Sequence, residues 1–239
     1  MRLMKKHIKR MAAPSSWAIP RKTSYWVTKP RPGPHGTSEA MPLLAVIRDM
    51  LKLCDNSREA RFIIGGRGVT VDGKVVTDYK YPVGLMDVVT IVKTKQNFRM
   101  LVDYKAKLQL VAIEDAEKGW KLSRIDNKTV IRKGKVQLNM HDGRCIILPK
   151  DQYKTGDVLK IELPSQKVVK AYKLEKGNLA LLVGGSHPGT IQTIDDYRIR
   201  RGSASNIVTF KEGLSTVKEN VFVVGEKAPE IKTLEAKAA

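Results

Sequence analysis

The first 38 residues of the chain contain nine lysine and arginine residues and no aspartate or glutamate. Prolines interrupt this segment, and its apolar residues follow neither a helical nor a strand period, so it cannot build a hydrophobic core of its own. Its basic side chains can bind phosphate, and Trp17, Tyr25 and Trp26 supply rings that can stack on nucleobases. The sequence therefore predicts a basic arm over residues 1–40 that becomes ordered on a polyanion.

The charge of the whole chain narrows the choice of polyanion. With 44 basic and 24 acidic residues, the chain has a formal charge of +20 and a pI of about 10.0, which favours nucleic acid or an anionic membrane. No stretch approaches the roughly 20 apolar residues of a membrane-spanning helix, and residues 1–10 lack the apolar segment of a signal peptide. We therefore expect a cytoplasmic protein that binds nucleic acid and no membrane.

The residues that usually carry catalysis or bind metals form no recognisable set. Cys54 and Cys145 are too few for a disulfide framework or a zinc site. The four histidines are scattered over predicted loops and the arm, and no nucleophile lies at a supported spacing from a base. A type I′ turn at residues 142–143 accounts for the sequence around His141 without catalysis. We expect no enzyme activity, no metal, no cofactor and no small-molecule substrate.

Two short helices are predicted after the arm. Thr37 and Ser38 offer N-caps for the first helix. Its apolar face consists of Leu43, Val46, Ile47, Met50 and Leu51. The second helix is predicted over residues 58–64 with a cap at Asn56-Ser57. We expect its face opposite the arginines, Phe62 and Ile63 with Ala60, to pack against the first helix.

A small sheet is predicted to follow the two helices. Strands at 69–71 and 74–76 are joined by an Asp-Gly pair, which is a strong hairpin signal. Another strand is predicted at 88–92. The helices and strands together predict a small α+β unit over residues 41–94.

The rest of the sequence alternates short apolar runs with glycine and proline turns. A central β-domain over residues 95–172 has strands predicted at 129–131, 136–140, 145–148 and 158–163, and one helix at 115–120. A second β-domain over residues 173–226 has strands predicted at 179–183, 207–210 and 221–224. Residues 227–239 are predicted to be a flexible tail. The expected fold class is α+β and multidomain.

Basic residues near turns and helix ends are the candidate RNA ligands. Arg58 and Arg61 are three residues apart and share a helix face, and Arg67 lies in the glycine turn that follows. A solvated face, with these arginines paired to Asp55 or Glu59, is an equal alternative on composition alone. The candidate set consists of Arg2, Lys5, Lys6, Lys9, Arg10, Arg58, Arg61, Arg67, Lys74, Lys121, Arg124, Lys128, Arg132, Lys133 and Arg144.

Part of the α+β unit resembles the S4-type RNA-binding domain. Residues 57–64 read SREARFII, residues 68–75 read GVTVDGKV, and residues 86–91 read MDVVTI, where the family usually has Gly-Asp in place of Met86-Asp87. The resemblance implies two antiparallel helices and a hairpin that grip structured RNA. The same domain occurs in pseudouridine synthases and in a tRNA synthetase, so it implies RNA without specifying the function.

Residues 177–191, GNLALLVGGSHPGTI, resemble a KOW motif, which implies an SH3-like β-barrel. Gly184, Gly185 and Gly189 fit its loop, where the backbone turns with positive φ or approaches another backbone closely. Pro188 stands where the family commonly has a basic residue, which weakens a phosphate-binding role for the loop tip. An ordinary hairpin loop in a β-barrel is an equal alternative.

The order of the motifs makes the resemblance specific. KKHIKRMAAP at residues 5–14 precedes the S4-type segment, and WKLSRIDNK at 120–128, VQLNMHDGR at 136–144 and YKTGDVL at 153–159 precede the KOW-like segment. As a set they resemble the archaeal and eukaryotic S4e family of small-subunit ribosomal proteins. The resemblance implies a structural, non-catalytic constituent of the small subunit. Its implied partners are 16S-type rRNA and neighbouring ribosomal proteins.

Two alternatives stay open at this point. The chain could be an RNA-modifying enzyme that carries an S4-type module, or a transcription or translation factor that uses its KOW segment. The first needs a separate catalytic domain, and the second does not explain the basic arm. Within the arm we interpret residues 5–10 as the part that enters rRNA, and residues 17–26 as the part that fastens the arm to the protein.

Overall fold

A computed structural model describes residues 7–202 and 204–232, apart from the side chain of Lys133. The described chain is mostly β-strand with few helices. It divides into two compact units, one built from residues up to 101 with residues 107–118, the other from residues 102–106 with those from 119 onwards. No helix of the described residues is long and apolar enough to cross a membrane.

The arm is part of the folded first unit. Strands β1 (Ile8–Lys9) and β2 (Trp26–Val27) pair antiparallel, and a 3₁₀ turn, Arg10–Ala12, follows β1. Trp17 is only 1% exposed, and the backbone N–H of Leu108 donates to the carbonyl of Ser16 at 2.8 Å. The arm thus has no core of its own but contributes its apolar residues to the core of the unit.

The first predicted helix forms, but it starts later than predicted. Strand β3 (Ala40–Pro42) pairs with β6 (Pro82–Gly84), and helix α1 (Leu43–Ala45) begins only after it and continues as a π-helical turn, Val46–Met50. Thr37 and Ser38 therefore do not cap this helix. Residues 40–42 form a strand and not the first turn of the helix, because all three are buried and paired with β6.

Helix α2 (Ser57–Gly65) confirms the second predicted helix and its Asn56 cap. Its buried residues are Ala60 and Ile64, four apart on one face. Phe62, two residues after Ala60, points the other way and is 80% exposed. The prediction that Phe62 packs against the first helix is therefore wrong.

The main sheet of the first unit has five strands in the order β5-β4-β7-β8-β9. They are β4 (Val69–Val71), β5 (Lys74–Val75), β7 (Val88–Ile91), β8 (Gln96–Val102) and β9 (Leu108–Ile113). The predicted hairpin is confirmed, because Asp72 and Gly73 have φ values of 51° and 74°, as a type I′ turn requires. Strands β8 and β9 were not predicted.

The first sheet of the second unit also has five strands, in the order β12-β11-β10-β13-β14. They are β10 (Trp120–Val130), β11 (Val136–Met140), β12 (Cys145–Leu148), β13 (Val158–Glu162) and β14 (Val168–Tyr172). The predicted helix at 115–120 is wrong: residues 115–119 form turns, and β10 begins at Trp120. The carboxylate of Asp115 accepts hydrogen bonds from Asn97 and Lys118, which hold this turn.

The second sheet of this unit has the order β18-β17-β16-β15-β19. Its strands are β15 (Leu179–Leu182), β16 (Ile191–Arg198), β17 (Ile207–Phe210), β18 (Ser215–Val217) and β19 (Val221–Gly225). In the loop between β15 and β16, Gly185 and Gly189 have φ values of 95° and 76°. A Cβ at Gly189 would lie 2.8 Å from the carbonyl carbon of Asp103, so the predicted need for glycine here is confirmed.

The predicted tail is partly folded. Ile231 is buried, and the backbone N–H of Glu230 donates to the carbonyl of Val224 at 3.0 Å. The Glu230 carboxylate also accepts hydrogen bonds from Lys160 and from the Tyr172 hydroxyl. Burial, together with the hydrogen bond to Glu230, raises the pKa of Tyr172. The tail segment is thus held in place at Glu230 and Ile231, and residues 233–239 lie outside the described residues.

Candidate RNA interface

Helix α2 presents a basic and aromatic face to solvent. Arg58, Arg61 and Phe62 are exposed. Their spacings of three and four residues place them on one side of the helix, away from Ala60 and Ile64. The arginines supply planar donors for phosphate oxygens, and the phenyl ring supplies a surface on which a base can stack. The face therefore carries both types of group that bind RNA.

The two arginines of this face keep their charge available. Among the described residues, neither Arg58 nor Arg61 forms an ion pair. The Glu59 carboxylate instead accepts hydrogen bonds from the backbone N–H groups of Asp55, at 3.1 Å, and Asn56, at 3.4 Å, and these bonds lower the pKa of Glu59. The predicted pairing of these arginines with Asp55 or Glu59 is wrong for the described residues, since no such ion pair forms and the Glu59 carboxylate caps the helix. The solvated face itself stays an open alternative.

An aromatic ring positions one of these arginines. The guanidinium carbon of Arg61 lies 4.4 Å from the centroid of the Tyr79 ring, and the Nζ of Lys80 lies 5.5 Å from the same centroid. A cation over a ring face is attracted by the ring quadrupole, which restricts the arginine without consuming its hydrogen-bond donors. Tyr79 and Lys80 were missed in the sequence, although a tyrosine between charged residues just beyond the hairpin was a usable signal.

Two more candidates lie on the elements that follow α2. Arg67 is exposed in the turn after the helix, with a φ of 58°, and its backbone N–H donates to the Ile64 carbonyl at 3.1 Å. Lys74 is exposed on β5, an edge strand of the sheet. The predicted residues of the S4-type segment are thus all exposed.

The structure places Arg10 inside the protein. It is only 3% exposed, and its guanidinium donates to Ser24 Oγ at 3.2 Å, to Asp49 Oδ1 at 3.5 Å and to the carbonyl of Pro20. The 3₁₀ turn that begins at Arg10 directs this side chain away from solvent. Arg10 is therefore corrected from a candidate RNA ligand to a residue that holds the arm in place.

The other candidates of the arm differ from Arg10. Lys9 is exposed on β1. Arg2, Lys5 and Lys6 lie outside the described residues. Tyr25 and Trp26 are 61% and 55% exposed, so the interpretation that residues 17–26 fasten the arm is confirmed for Trp17 and wrong for these two rings.

Lys121 of the central sheet is buried as well. Its Nζ lies 2.6 Å from Oδ2 of Asp142, and both side chains are about 1% exposed. Burial raises the pKa of Asp142, but the nearby charges of Lys121, His141 and Arg144 outweigh it and lower the pKa overall. This buried pair is an internal structural contact, so the prediction that Lys121 binds RNA is wrong.

The turn that carries Asp142 is not of the predicted type. A type I′ turn requires positive φ at both central residues. Gly143 has a φ of 71°, but Asp142 is not among the described residues with positive φ. Nδ1 of His141 lies 3.2 Å from the backbone nitrogen of Arg124, whose N–H donates to it. The histidine and the aspartate of this sequence thus both serve the fold.

Three more basic residues of the central segment bind acidic or carbonyl groups of the protein. Arg124 donates to Asp126 at 2.8 Å and to the Glu219 carbonyl at 2.6 Å. Lys128 lies 2.7 Å from an Asp151 oxygen, and Arg144 lies 3.2 Å from Asp142. Arg132 is exposed and forms no ion pair with the described residues, and the Lys133 side chain lies outside them.

A buried histidine and aspartate do not form a catalytic pair. His35 Nε2 lies 3.0 Å from Asp87 Oδ2, with both side chains almost fully buried. The same oxygen of Asp87 accepts the backbone N–H of Gly84 at 3.0 Å, so it holds the turn before β7. No group of three or more histidine, cysteine, aspartate or glutamate residues that could hold a metal ion occurs in the part of the chain that the structure describes.

Three protein-family models match consecutive parts of the chain. They are described as the RS4NT (NUC023) domain, at residues 2–38, the S4 domain, at residues 41–89, and the ribosomal family S4e, at residues 94–168. The small ribosomal subunit protein eS4 of Archaeoglobus fulgidus is 48% identical over 224 residues, which cover 92% of this chain and 94% of the relative. The protein of the same name from Methanocaldococcus jannaschii is 44% identical over 240 residues, covering 95% of this chain and 97% of that relative.

The chain belongs to the ribosomal protein S4e family. The crystal structure of the 30S ribosomal protein S4e from Thermoplasma acidophilum is similar to it in fold, with a TM-score of 0.71, 36% identity and coverage of 79% of this chain and 96% of that one. The family resemblance in the order of the motifs is therefore confirmed. The S4-type resemblance is confirmed for residues 41–89.

The second unit of this S4e-family chain contains a basic cavity that its sequence did not reveal. The cavity has a volume of about 500 Å³, and four lysines line it: Lys128, Lys154, Lys173 and Lys218. Nζ of Lys218 donates to Thr155 Oγ1 at 2.8 Å and lies 6.0 Å from the centroid of the Tyr197 ring. Because these lysines come from distant parts of the chain, only the packing of the two sheets brings them together.

Proposed function

We propose that this chain is a structural constituent of the small ribosomal subunit, which binds and stabilises folded 16S-type rRNA during assembly and translation. It works in the cytoplasm, within the subunit. Curated relatives named small ribosomal subunit protein eS4 that cover more than nine tenths of the chain support this role. The ribosomal family is one of structural proteins, so the chain is not an enzyme and the RNA-modifying alternative is wrong.

The exposed face of α2 is the observation that carries the RNA contact. Arg58 and Arg61 are exposed and form no ion pairs among the described residues, and Phe62 on the same helix face is 80% exposed. An arginine that makes a bidentate contact to phosphate forms two charge-assisted hydrogen bonds, which are stronger than neutral ones. Arg67 and Lys74 extend this surface along the next turn and strand.

The domain organisation is also a proposal. We infer a basic arm over residues 1–40, an S4-type domain over 41–94, a central β-domain over 95–172, a KOW domain over 173–226 and a tail over 227–239. The positive φ of Gly185 and Gly189 and the five-stranded antiparallel sheet around their loop support an SH3-like KOW barrel. Neighbouring ribosomal proteins are the other proposed partners.

Filter binding of the full chain to a small-subunit rRNA transcript tests the role. We expect tighter binding to the transcript than to a random RNA duplex, and a log–log salt slope of about −0.7 to −0.9 for each neutralised phosphate. The double variant Arg58→Ala/Arg61→Ala should bind more weakly, with about 1–3 kcal/mol lost for each bidentate contact. Equal affinity for transcript and random duplex would contradict the proposal.

A second double variant controls for net charge. Arg200 and Arg201 are exposed on the other unit, so Arg200→Ala/Arg201→Ala removes the same charge from outside the α2 face. We expect this control to retain most of the affinity. If both double variants lose affinity equally, the α2 face has no special role and the general positive field accounts for binding.

A further inference from the structure

Two neighbouring aromatic rings of the arm are exposed, although they are not needed to anchor the arm to the hydrophobic core. Tyr25 is 61% exposed and Trp26 is 55% exposed, whereas Trp17 of the same arm is 1% exposed. The apolar anchoring of the arm is already provided by Trp17, together with the buried Val27. Burying large aromatic side chains stabilises a protein, so two adjacent aromatic side chains that stay exposed indicate a binding surface.

The rings contact each other so that one of them keeps both of its faces clear of the other. The centroids of Tyr25 and Trp26 lie 4.7 Å apart with an interplanar angle of 85°, an edge-to-face contact. In such a contact one ring offers only its edge, so its faces are not covered by the partner. The His7 ring lies 5.7 Å from Trp26 at 57° and adds a third ring to the group.

A cation accompanies the rings. Lys9 is opposite Trp26 in the β1–β2 register, and its Nζ lies 5.2 Å from the centroid of Tyr25. Ile8 is opposite Val27, which is buried, so the strand alternation places Lys9 and Trp26 on the solvent side. A phosphate bound at Lys9 would bring its own nucleoside next to the rings.

The buried Arg10 fixes the backbone under this group. Its N–H donates to the carbonyl of Tyr25 at 2.9 Å, and its guanidinium donates to Ser24 Oγ at 3.2 Å. Ser24 Oγ in turn donates to the carbonyl of Trp26 at 3.3 Å. Both aromatic residues are therefore held before any ligand arrives, which lowers the entropy cost of binding.

We propose that Tyr25, Trp26 and Lys9 form a stacking site for an unpaired nucleobase of the rRNA, with Lys9 on the adjoining phosphate and Arg10 as the positioning residue. This inference rests on the proposed function and specifies how the arm takes part in it. Stacking is favoured over phosphate binding alone because the site has two exposed rings and one described lysine. The ligand is single-stranded, since the faces of a base inside a duplex are already covered by stacking on its neighbours.

The test compares Trp26→Ala and Trp26→Phe in the full chain. We expect Trp26→Ala to weaken binding to a small-subunit rRNA transcript by about 5- to 100-fold with an unchanged salt slope. Trp26→Phe should retain most of the affinity, because a phenyl ring still stacks. Lys9→Ala should instead reduce the salt slope by about 0.7–0.9. A short oligoadenylate should compete for the site, and a fully paired duplex should not.

Tyr104→Ala is the matched control. Tyr104 is 55% exposed, as Trp26 is, and Nζ of Lys105 lies 5.0 Å from its ring centroid, but it belongs to the other unit. We expect its removal to leave the affinity unchanged. An equal loss for Tyr104→Ala and Trp26→Ala would overturn the assignment, because any exposed ring would then serve.

Other outcomes separate this inference from the proposed function. If the native chain binds the transcript tightly and Trp26→Ala binds it equally well, the stacking site is wrong and the ribosomal role stands. If Trp26→Ala binds naked rRNA normally but is lost from assembled subunits in a salt wash, the rings cover a protein neighbour, which also overturns the site. If the native chain itself prefers random duplex, the proposed function fails.

Discussion

The segment that contains α2 and the segment that contains the central sheet differ in how many of their basic side chains are available to RNA, and the order is the reverse of their net charges. Residues 43–94 carry a formal charge of +2 and residues 95–172 carry +8, so the central segment is the more basic in sequence. In the structure, Arg58 and Arg61 of α2 are exposed without ion pairs among the described residues. Lys121, Arg124 and Lys128 of the central sheet bind groups of the protein itself.

The difference shows that net charge does not measure the charge available to a ligand. An arginine at the surface of a helix retains its donors, whereas a lysine inside a sheet loses its hydration and needs an internal partner. Basic residues of the two regions should therefore respond differently to mutation. Those of the central sheet should change stability, and those of α2 should change RNA affinity.

The largest expected effect is on the buried pair of the central sheet. Asp142→Ala leaves Lys121 buried without this carboxylate, which should lower the free energy of unfolding by about 3–5 kcal/mol. Urea denaturation followed by circular dichroism measures the loss. Arg61→Ala is the control and should change stability by less than about 0.5 kcal/mol. A stable Asp142→Ala protein would show that the pair contributes little and would weaken the contrast.

Acid should weaken the same pair without mutation. Because the pKa of Asp142 is lowered in the folded state, its contribution to stability is fully present above the ordinary carboxyl pKa and is lost as pH falls through the folded pKa. The effect should be smaller than that of Asp142→Ala, since a protonated carboxyl still fills the space beside Lys121. Urea midpoints measured at a series of acidic pH values test this. The native protein should lose more stability on acidification than Asp142→Ala does.

Arg124 should behave as a structural residue despite its place in the candidate set. Arg124→Ala removes hydrogen bonds to the Asp126 carboxylate and the Glu219 carbonyl, and hydrogen bonds of charged groups contribute about 1.5–3 kcal/mol. We expect a lower thermal midpoint and an rRNA affinity close to that of the native chain. A loss of affinity with an unchanged midpoint would return Arg124 to the interface.

The smallest effect should be on the orientation of Arg61. Tyr79→Leu removes the ring under the guanidinium, and a cation–π contact at an exposed site contributes about 0.5–1 kcal/mol. We expect rRNA binding to weaken by about that amount, and by less than in Arg61→Ala. In an Arg61→Ala background the further change Tyr79→Leu should have no effect on affinity. An additive loss would mean that Tyr79 contacts RNA independently of Arg61.

Local signals were reliable where a short stretch of chain controls the conformation. The Asn56 cap and the Asp72-Gly73 hairpin were predictable because each depends on residues within one turn. The start of α1 was not, because β3 pairs with β6 from residues about forty positions later along the chain. The turns at 115–119 were missed for a similar reason, since Asp115 bonds to Asn97 of β8.

The candidate site was predictable in its residue types but not in their exposure. Arg10 and Lys9 are neighbours in a stretch of 38 residues without acidic side chains, yet Arg10 is buried and Lys9 is exposed. Phe62 was assigned to the helix face opposite Arg58, although its position four residues after Arg58 places it on the same face as that arginine. Burial in both cases depends on the element that packs against the residue.

The sequence by itself determined the class of partner and the family, because charge, motif order and turn residues are local properties that survive without a fold. Only the tertiary structure decided which basic groups are available, because ion pairing and burial depend on residues that are distant in the chain. Asp49 lies 39 positions beyond Arg10, and Glu219 lies 95 positions beyond Arg124. The basic arm thus has two parts, a buried part around Trp17 and Arg10 and an exposed part around Trp26.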